Sequence, residues 1–163
     1  ADVGGVTMAR SGTTPALLRA RVIERLQASA EVLALVPSAA NIQSTRTIEI
    51  ADHQLPIVAV YVFEERGEIN GWSCLAPNFA GECDITIEFH VKGATDAALA
   101  TATDGIDAVL DAVMTDETLQ RLMDRWVRFD RSTGLVDEAV SKRHAMARVI
   151  CTCAYQSGFV VSP

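Results

Sequence analysis

Three histidines, four cysteines and a helical run of aspartates are the side chains with which this chain could do chemistry. Cys151 and Cys153 stand two apart in an apolar run, so a strand points both to one face. Structural zinc takes paired C-x-x-C knuckles or added histidines. His144 lies seven residues before Cys151, on the opposite face of a regular strand. The four cysteines, Cys74, Cys83, Cys151 and Cys153, therefore read as reduced thiols, as in a cytosolic chain. Asp104, Asp107 and Asp111 share one helix face at three- and four-residue spacing. A cation there needs a second acidic cluster opposite, and the solvated face of an acidic protein gives the same pattern. His53, His90 and His144 sit on separate segments. No nucleophile elbow, phosphate loop, dinucleotide fingerprint or H-E-x-x-H motif occurs. The expectation is no enzyme, with no catalytic residue, no cofactor and no metal ligand, although triads built from distant positions leave no such signature.

The elements that hold these residues follow from length and pattern. A chain of 163 residues sits in the range of one domain, and folding at that size buries roughly two-thirds of its surface. Apolar residues make up 49 % and charged residues 21 %, a globular balance. A net charge of -7 argues against nucleic-acid binding as the main task, because phosphate contact needs a basic surface. Twelve of the 14 basic residues are arginine. Arginine is the commoner base at protein interfaces, and a GC-rich genome produces the same bias. No apolar run approaches the roughly 20 residues of a membrane helix, and no secretory signal is visible. Residues 1–13 read as a flexible arm, small and polar with several glycines, and residues 14–163 as a single α+β domain.

Thr14 and Pro15 make a helix start, a capping hydroxyl followed by proline at the first turn. Leu18, Val22 and Leu26 recur at four-residue spacing, joined by Ile23, Ala30 and Leu33, and Pro37 ends the helix. Residues 46–50 alternate as a short half-buried strand through Ile48 and Ile50. Residues 57–63 are apolar on both faces and need cover twice, once from the chain's own helices and once from something else, such as a neighbouring subunit.

Residues 64–82 form a polar stretch of 19 residues with several turn formers, read as a loop too long for an ordinary hairpin. Trp72, Leu75 and Phe79 on it are either docking contacts or side chains that fold back to cap the core. Residues 84–92 alternate cleanly, with Ile85, Ile87, Phe89 and Val91 inward and Thr86, Glu88, His90 and Lys92 on a wet or interfacial face. His90 is thus expected at the surface. Candidate protein contacts are Trp72, Leu75, Phe79, Glu64, Arg66, Glu88, His90 and Arg148.

Thr95 caps a second helix carrying Leu99, Ala102, Ile106, Val109 and Val113, and a shorter piece follows with Leu119, Leu122 and Met123 on its buried side. Two strands close the chain, residues 126–130 and the run through Ala147, Val149, Cys151, Cys153 and Tyr155, with a turn near Gly134 between them. The order predicts a mostly antiparallel sheet of about five strands with two main helices on one face.

That layout has a counterpart. The opening Ala16-Leu17-Leu18-Arg19-Ala20-Arg21-Val22 and the break at Val36-Pro37 lead to Leu55-Pro56-Ile57-Val58-Ala59-Val60-Tyr61. The strand Ile85-Thr86-Ile87-Glu88-Phe89-His90-Val91 then precedes a helix beginning at Asp96 with Leu99, Asp104 and Leu110. Residues 14–157 together resemble the tail terminator proteins of long-tailed bacteriophages, including the lambda-type minor tail protein U. The resemblance rests on element order and short apolar patterns.

It implies a homo-oligomer, a hexameric ring in the virion at the head–tail junction, made in the cytoplasm of the bacterial host. Such a ring caps the tail tube protein, stops its polymerisation and meets the head–tail connector proteins, while DNA passes through without sequence-specific binding. The family has no active-site residues to carry over. A head–tail completion protein or a tail tube subunit is the nearest alternative, and a small cytosolic ligand-binding domain or enzyme the more distant one.

Overall fold

A computed structural model describes residues 7–44, 54–70, 78–138 and 142–162. The strand expected over residues 46–50, together with His53, Trp72, Cys74 and Leu75, lies outside the described residues.

Two helices open the domain. Thr14 accepts the Leu17 amide at 3.2 Å and starts α1 (Pro15–Ala28). Ser29 breaks the expected single helix by capping a separate turn, α2 (Ala30–Leu33). A short 3-10 turn (Ala39–Asn41) leads into β2 (Ile42–Gln43), which runs parallel to β3 (Ile57–Asn70). Further on, Thr95 caps α3 (Asp96–Met114), and Asp116 caps α4 (Glu117–Leu122) by accepting the Leu119 amide at 3.0 Å. Asp116 also receives a bidentate pair from Arg21 at 2.8 and 2.7 Å, which ties α1 to the start of α4.

Among the described residues the sheet has six strands, in the order β1 (Thr7–Gly12), β6 (Lys142–Ser162), β4 (Asn78–Val91), β3 and β2, with β5 (Arg125–Glu138) also on β6. Every pairing except β2 with β3 is antiparallel. β6 is the spine. One side carries β4 along residues 145–158, and the other carries β5 and then β1.

Both main helices lie on one face. Leu18, Val22 and Leu26 of α1 and Ala102, Ile106 and Val109 of α3 share a single buried core with Val58, Val60, Ile85, Ile87, Phe89 and Val149. Gly105 lets α3 come close, since a Cβ at that position would overlap the Phe89 ring. The α+β architecture and the helical stripes agree with the sequence pattern.

Three expectations about the strands need correction. The described parts of the polar stretch 64–82 are strand rather than loop: residues 64–70 and 78–84 are antiparallel arms, paired from Glu64 with Asp84 to Asn70 with Asn78. Phe79 lies across Gly67 and Gly81 and packs on Tyr155, with ring centroids 6.2 Å apart. Glycines paired across strands and roofed by an aromatic ring are strand material, although in isolation they read as turns. Gly134 is likewise no turn, because it sits mid-strand in β5 opposite Met146. The N-terminal residues 7–12, read as a loose arm, pair with residues 157–162 of β6.

Candidate functional site

The helix-free face of the sheet holds a linked set of polar side chains. Strand alternation sends Ile85, Ile87 and Phe89 to the helices and Thr86, Glu88 and His90 the other way. On β6 the same alternation sets His144 and Arg148 opposite the Cys151 and Cys153 face. The register brings Arg148 directly beside Glu88.

Glu88 Oε1 accepts from Tyr61 Oη at 2.9 Å, from Arg148 Nε at 2.9 Å and from Arg148 Nη2 at 2.8 Å. Its Oε2 meets His90 Nε2 at 3.0 Å, and His90 Nδ1 meets His144 Nε2 at 2.7 Å. With Glu88 ionised its oxygens only accept, so His90 donates from Nε2. In the neutral ring His90 then accepts at Nδ1, and His144 donates from Nε2. Glu88 and His90 are both 0 % exposed. The expected surface histidine is therefore an internal one, and Glu88, expected on the same face, is buried beside it. The guanidinium of Arg148 compensates the buried carboxylate, and the same bonds fix the mutual register of β3, β4 and β6.

A second cluster stands where the hairpin arm leaves this base. Arg66 donates to Asp84 at 3.0 Å and lies 3.2 Å from Glu82 and 4.0 Å from Glu64. Thr152 donates to Asp84 at 2.6 Å. Burial raises the Asp84 carboxyl, but the bonds from Arg66 and Thr152 outweigh it and hold the group below the usual carboxylate range. Tyr155 donates to Glu65 on the same arm. An open groove of about 490 Å³ beside it is lined by Arg66, Glu68, Glu82, Asp124 and Tyr155, with glycine and alanine at its floor.

Cys83 and Cys153 face each other across β4 and β6 with sulfurs 3.5 Å apart, and both are buried. Their mutual contact and burial raise the Cys83 thiol. Burial pushes Cys151 up to about 12. Cys83 and Cys151 are thiols, not thiolates, at neutral pH. Asp104, Asp107 and Asp111 are exposed, and Asp107 pairs with Arg131 at 2.7 Å. Among the described residues no three histidine, cysteine or carboxylate side chains converge as metal ligands would.

Of the expected contacts, Glu64 and Arg66 lie exposed on the arm, while Phe79 is half-buried against the core. Glu88, His90 and Arg148 do come together, with Glu88 and His90 buried and Arg148 half-buried over them. The sequence reading missed Tyr61, His144 and Asp84, whose partners lie up to 68 residues away in the chain. Phe63, at the end of the doubly apolar run expected to need outside cover, is 74 % exposed. The parity of Glu88, His90, His144 and Arg148 was the available signal, an acid and its bases all pointing to one face.

No protein-family model matches the chain, and no curated protein matches it.

Proposed function

We propose that the protein is a structural subunit of a long-tailed phage virion, a tail terminator. It closes into a ring on the end of the tail tube, ends tube polymerisation and offers the surface for joining to the head. One observation carries the assembly reading: six consecutive residues of β3, 63–68, are exposed. Alternate strand residues face opposite ways, so this stretch is bare on both faces. An extended strand bare on both faces and carrying a large exposed phenylalanine is poor material for an isolated monomer and good material for a contact.

The order of helix, strands, helix and two closing strands, on which the resemblance rests, supports the tail-terminator form of the reading. The long loop expected after the apolar strand adds nothing to it, since residues 64–70 and 78–84 are paired strand. The net charge of -7 suits a passage that lets DNA through without holding it. A small-molecule site, the rival reading, would need polar side chains open to a pocket, and the linked pair His90 and Glu88 is sealed from solvent.

Mass in solution tests the proposal. From a 17.5 kDa chain the expected species is a closed ring of about 105 kDa, formed alone or on purified tail tubes. A species that remains monomeric both alone and with tubes overturns it. Long open tubes grown from the protein by itself, seen by electron microscopy, point instead to a tube subunit.

A further inference from the structure

The two lateral margins of the sheet differ in a way that identifies what each of them meets. Across the middle of the domain the strands run β3, β4, β6, β5, so β3 forms one margin and β5 the other among the described residues. Of the five large apolar side chains left exposed, Phe63 lies on β3, and Val127, Phe129 and Leu135 lie on β5.

Charge divides the same way. Residues 64–70 and 78–84 of the hairpin carry five carboxylates against the single Arg66, a net of -4. Residues 125–131 of β5 carry three arginines against Asp130, a net of +2.

The register sets these features at matching heights. Glu64 pairs with Asp84, Asp84 with Thr152, and Thr152 with Arg128, so Glu64 and Arg128 end one row of the sheet on opposite margins. The next row joins Val62, Ile85, Cys151 and Phe129. Phe63 bulges out between Val62 and Glu64, and Val127 bulges out between Trp126 and Arg128. Phe63 thus stands within about one residue rise, roughly 3.3 Å, of the heights of both Phe129 and Arg128. Rotation about an axis along the strands leaves heights unchanged. Neighbouring copies in such a ring therefore set Phe63 against Phe129 and Val127, and Glu64 against Arg128.

We infer that the β3 margin of one copy docks on the β5 margin of the next, with Phe63 as the apolar anchor and Glu64–Arg128 as the charged pair. This rests on the ring reading above and names its contact. Like margins do not suit one another, because β5 on β5 sets arginines against arginines and β3 on β3 sets glutamates against glutamates. Unlike margins make the contact heterologous, the kind that closes into a ring. Within one copy Arg128 holds Asp130 at 2.7 Å, and Glu64 reaches Arg66 only at 4.0 Å. Both are exposed pairs and exchange readily for a partner's charge.

Charge reversal tests the contact in the full chain, read by light scattering alone and on tail tubes, with thermal melting as the check on folding. Glu64→Arg alone and Arg128→Glu alone each weaken assembly about tenfold or more. Their equimolar mixture restores rings of alternating variants, and the double variant restores rings by itself. Phe63→Ala weakens assembly with little change in the melting of the subunit, since that side chain is 74 % exposed. If the wild-type protein assembles and both single reversals assemble as well as it does, the contact is overturned and the ring reading stands. If a reversal weakens assembly and neither mixture nor double variant recovers it, the Glu64–Arg128 pairing is overturned. If the wild-type protein never assembles, the ring reading falls and this contact with it.

Discussion

At the base of the sheet β4 is buried on both faces from residue 83 to 90, while a few residues away its partner β3 is exposed on both faces from 63 to 68. Both regions carry charged residues in sequence, although the arm carries more of them. Thr86, Glu88 and His90 alternate with apolar residues at the base, and Glu64, Arg66 and Glu68 punctuate the arm. What separates them is compensation. Glu88 has the Tyr61 hydroxyl, the Arg148 guanidinium and His90 within hydrogen-bonding distance, so the interior tolerates it. On the arm, Glu64 has only the margin of Arg66. A polar residue on a strand reports exposure only when no partner waits for it across the ladder.

The contrast breaks most visibly at Arg148. Replacing it by methionine leaves the Glu88 carboxylate buried without its cation, a loss of about 3–5 kcal/mol. The lower end is expected because the Arg148 side chain is itself 31 % exposed. For a domain of this size that lowers the melting temperature by roughly 6–12 °C. Adding Glu88→Gln recovers much of the loss by removing the charge. A single variant that melts within 2 °C of wild type, on the order of the effect of an ordinary surface change, would show that Glu88 is not held as a buried anion.

Acid sharpens the comparison from another side. The Arg21 guanidinium, joined by the Leu119 amide, keeps the Asp116 carboxyl below its ordinary range against the cost of burial. The unfolded chain therefore binds a proton at higher pH than the folded one. The stabilisation is complete above the unfolded carboxylate range near pH 4 and is lost as pH falls through the lower folded value. Asp84 beneath the arm behaves in the same direction. Urea midpoints measured from pH 6 down to pH 2.5 should fall below about pH 4. In Asp116→Asn the fall should be shallower and the neutral-pH midpoint lower. A slope unchanged by the substitution would mean that Asp116 is not the linked group.

The same comparison explains how much the sequence disclosed. Leu18, Val22 and Leu26 declared α1, and Ile85, Ile87 and Phe89 declared the core face of β4, because both patterns depend only on neighbours in the chain. The partners of Glu88 do not. Arg148 comes 60 residues later, so the acid and the histidine beside it looked like a wet face. The arm was hidden for a related reason. Gly67 and Gly81 signal turns locally, and only the ladder that pairs them, with Phe79 laid across both, makes them strand. The contact residues named on the arm, Glu64 and Arg66, were visible as charge. Phe63 was hidden inside an apolar run, since nothing in the letters shows that a bulge turns it outward.

The smallest expected effect lies at the far end of the arm. Ile69 is half-buried opposite Phe79, remote from the helices. Truncating it to alanine removes contacts only within the hairpin, so global stability should change by less than about 1 kcal/mol. Amide exchange should still register it. In wild type the amides of residues 85–90 should exchange only through global unfolding, while those near residues 66–70 should open locally. Ile69→Ala should speed the second group further and leave the first untouched. If both groups accelerate together, arm and base unfold as one unit. The margin carrying Phe63 and Glu64 would then be as rigid as the core, and its side chains would meet a neighbour already held in place rather than ordered by the contact.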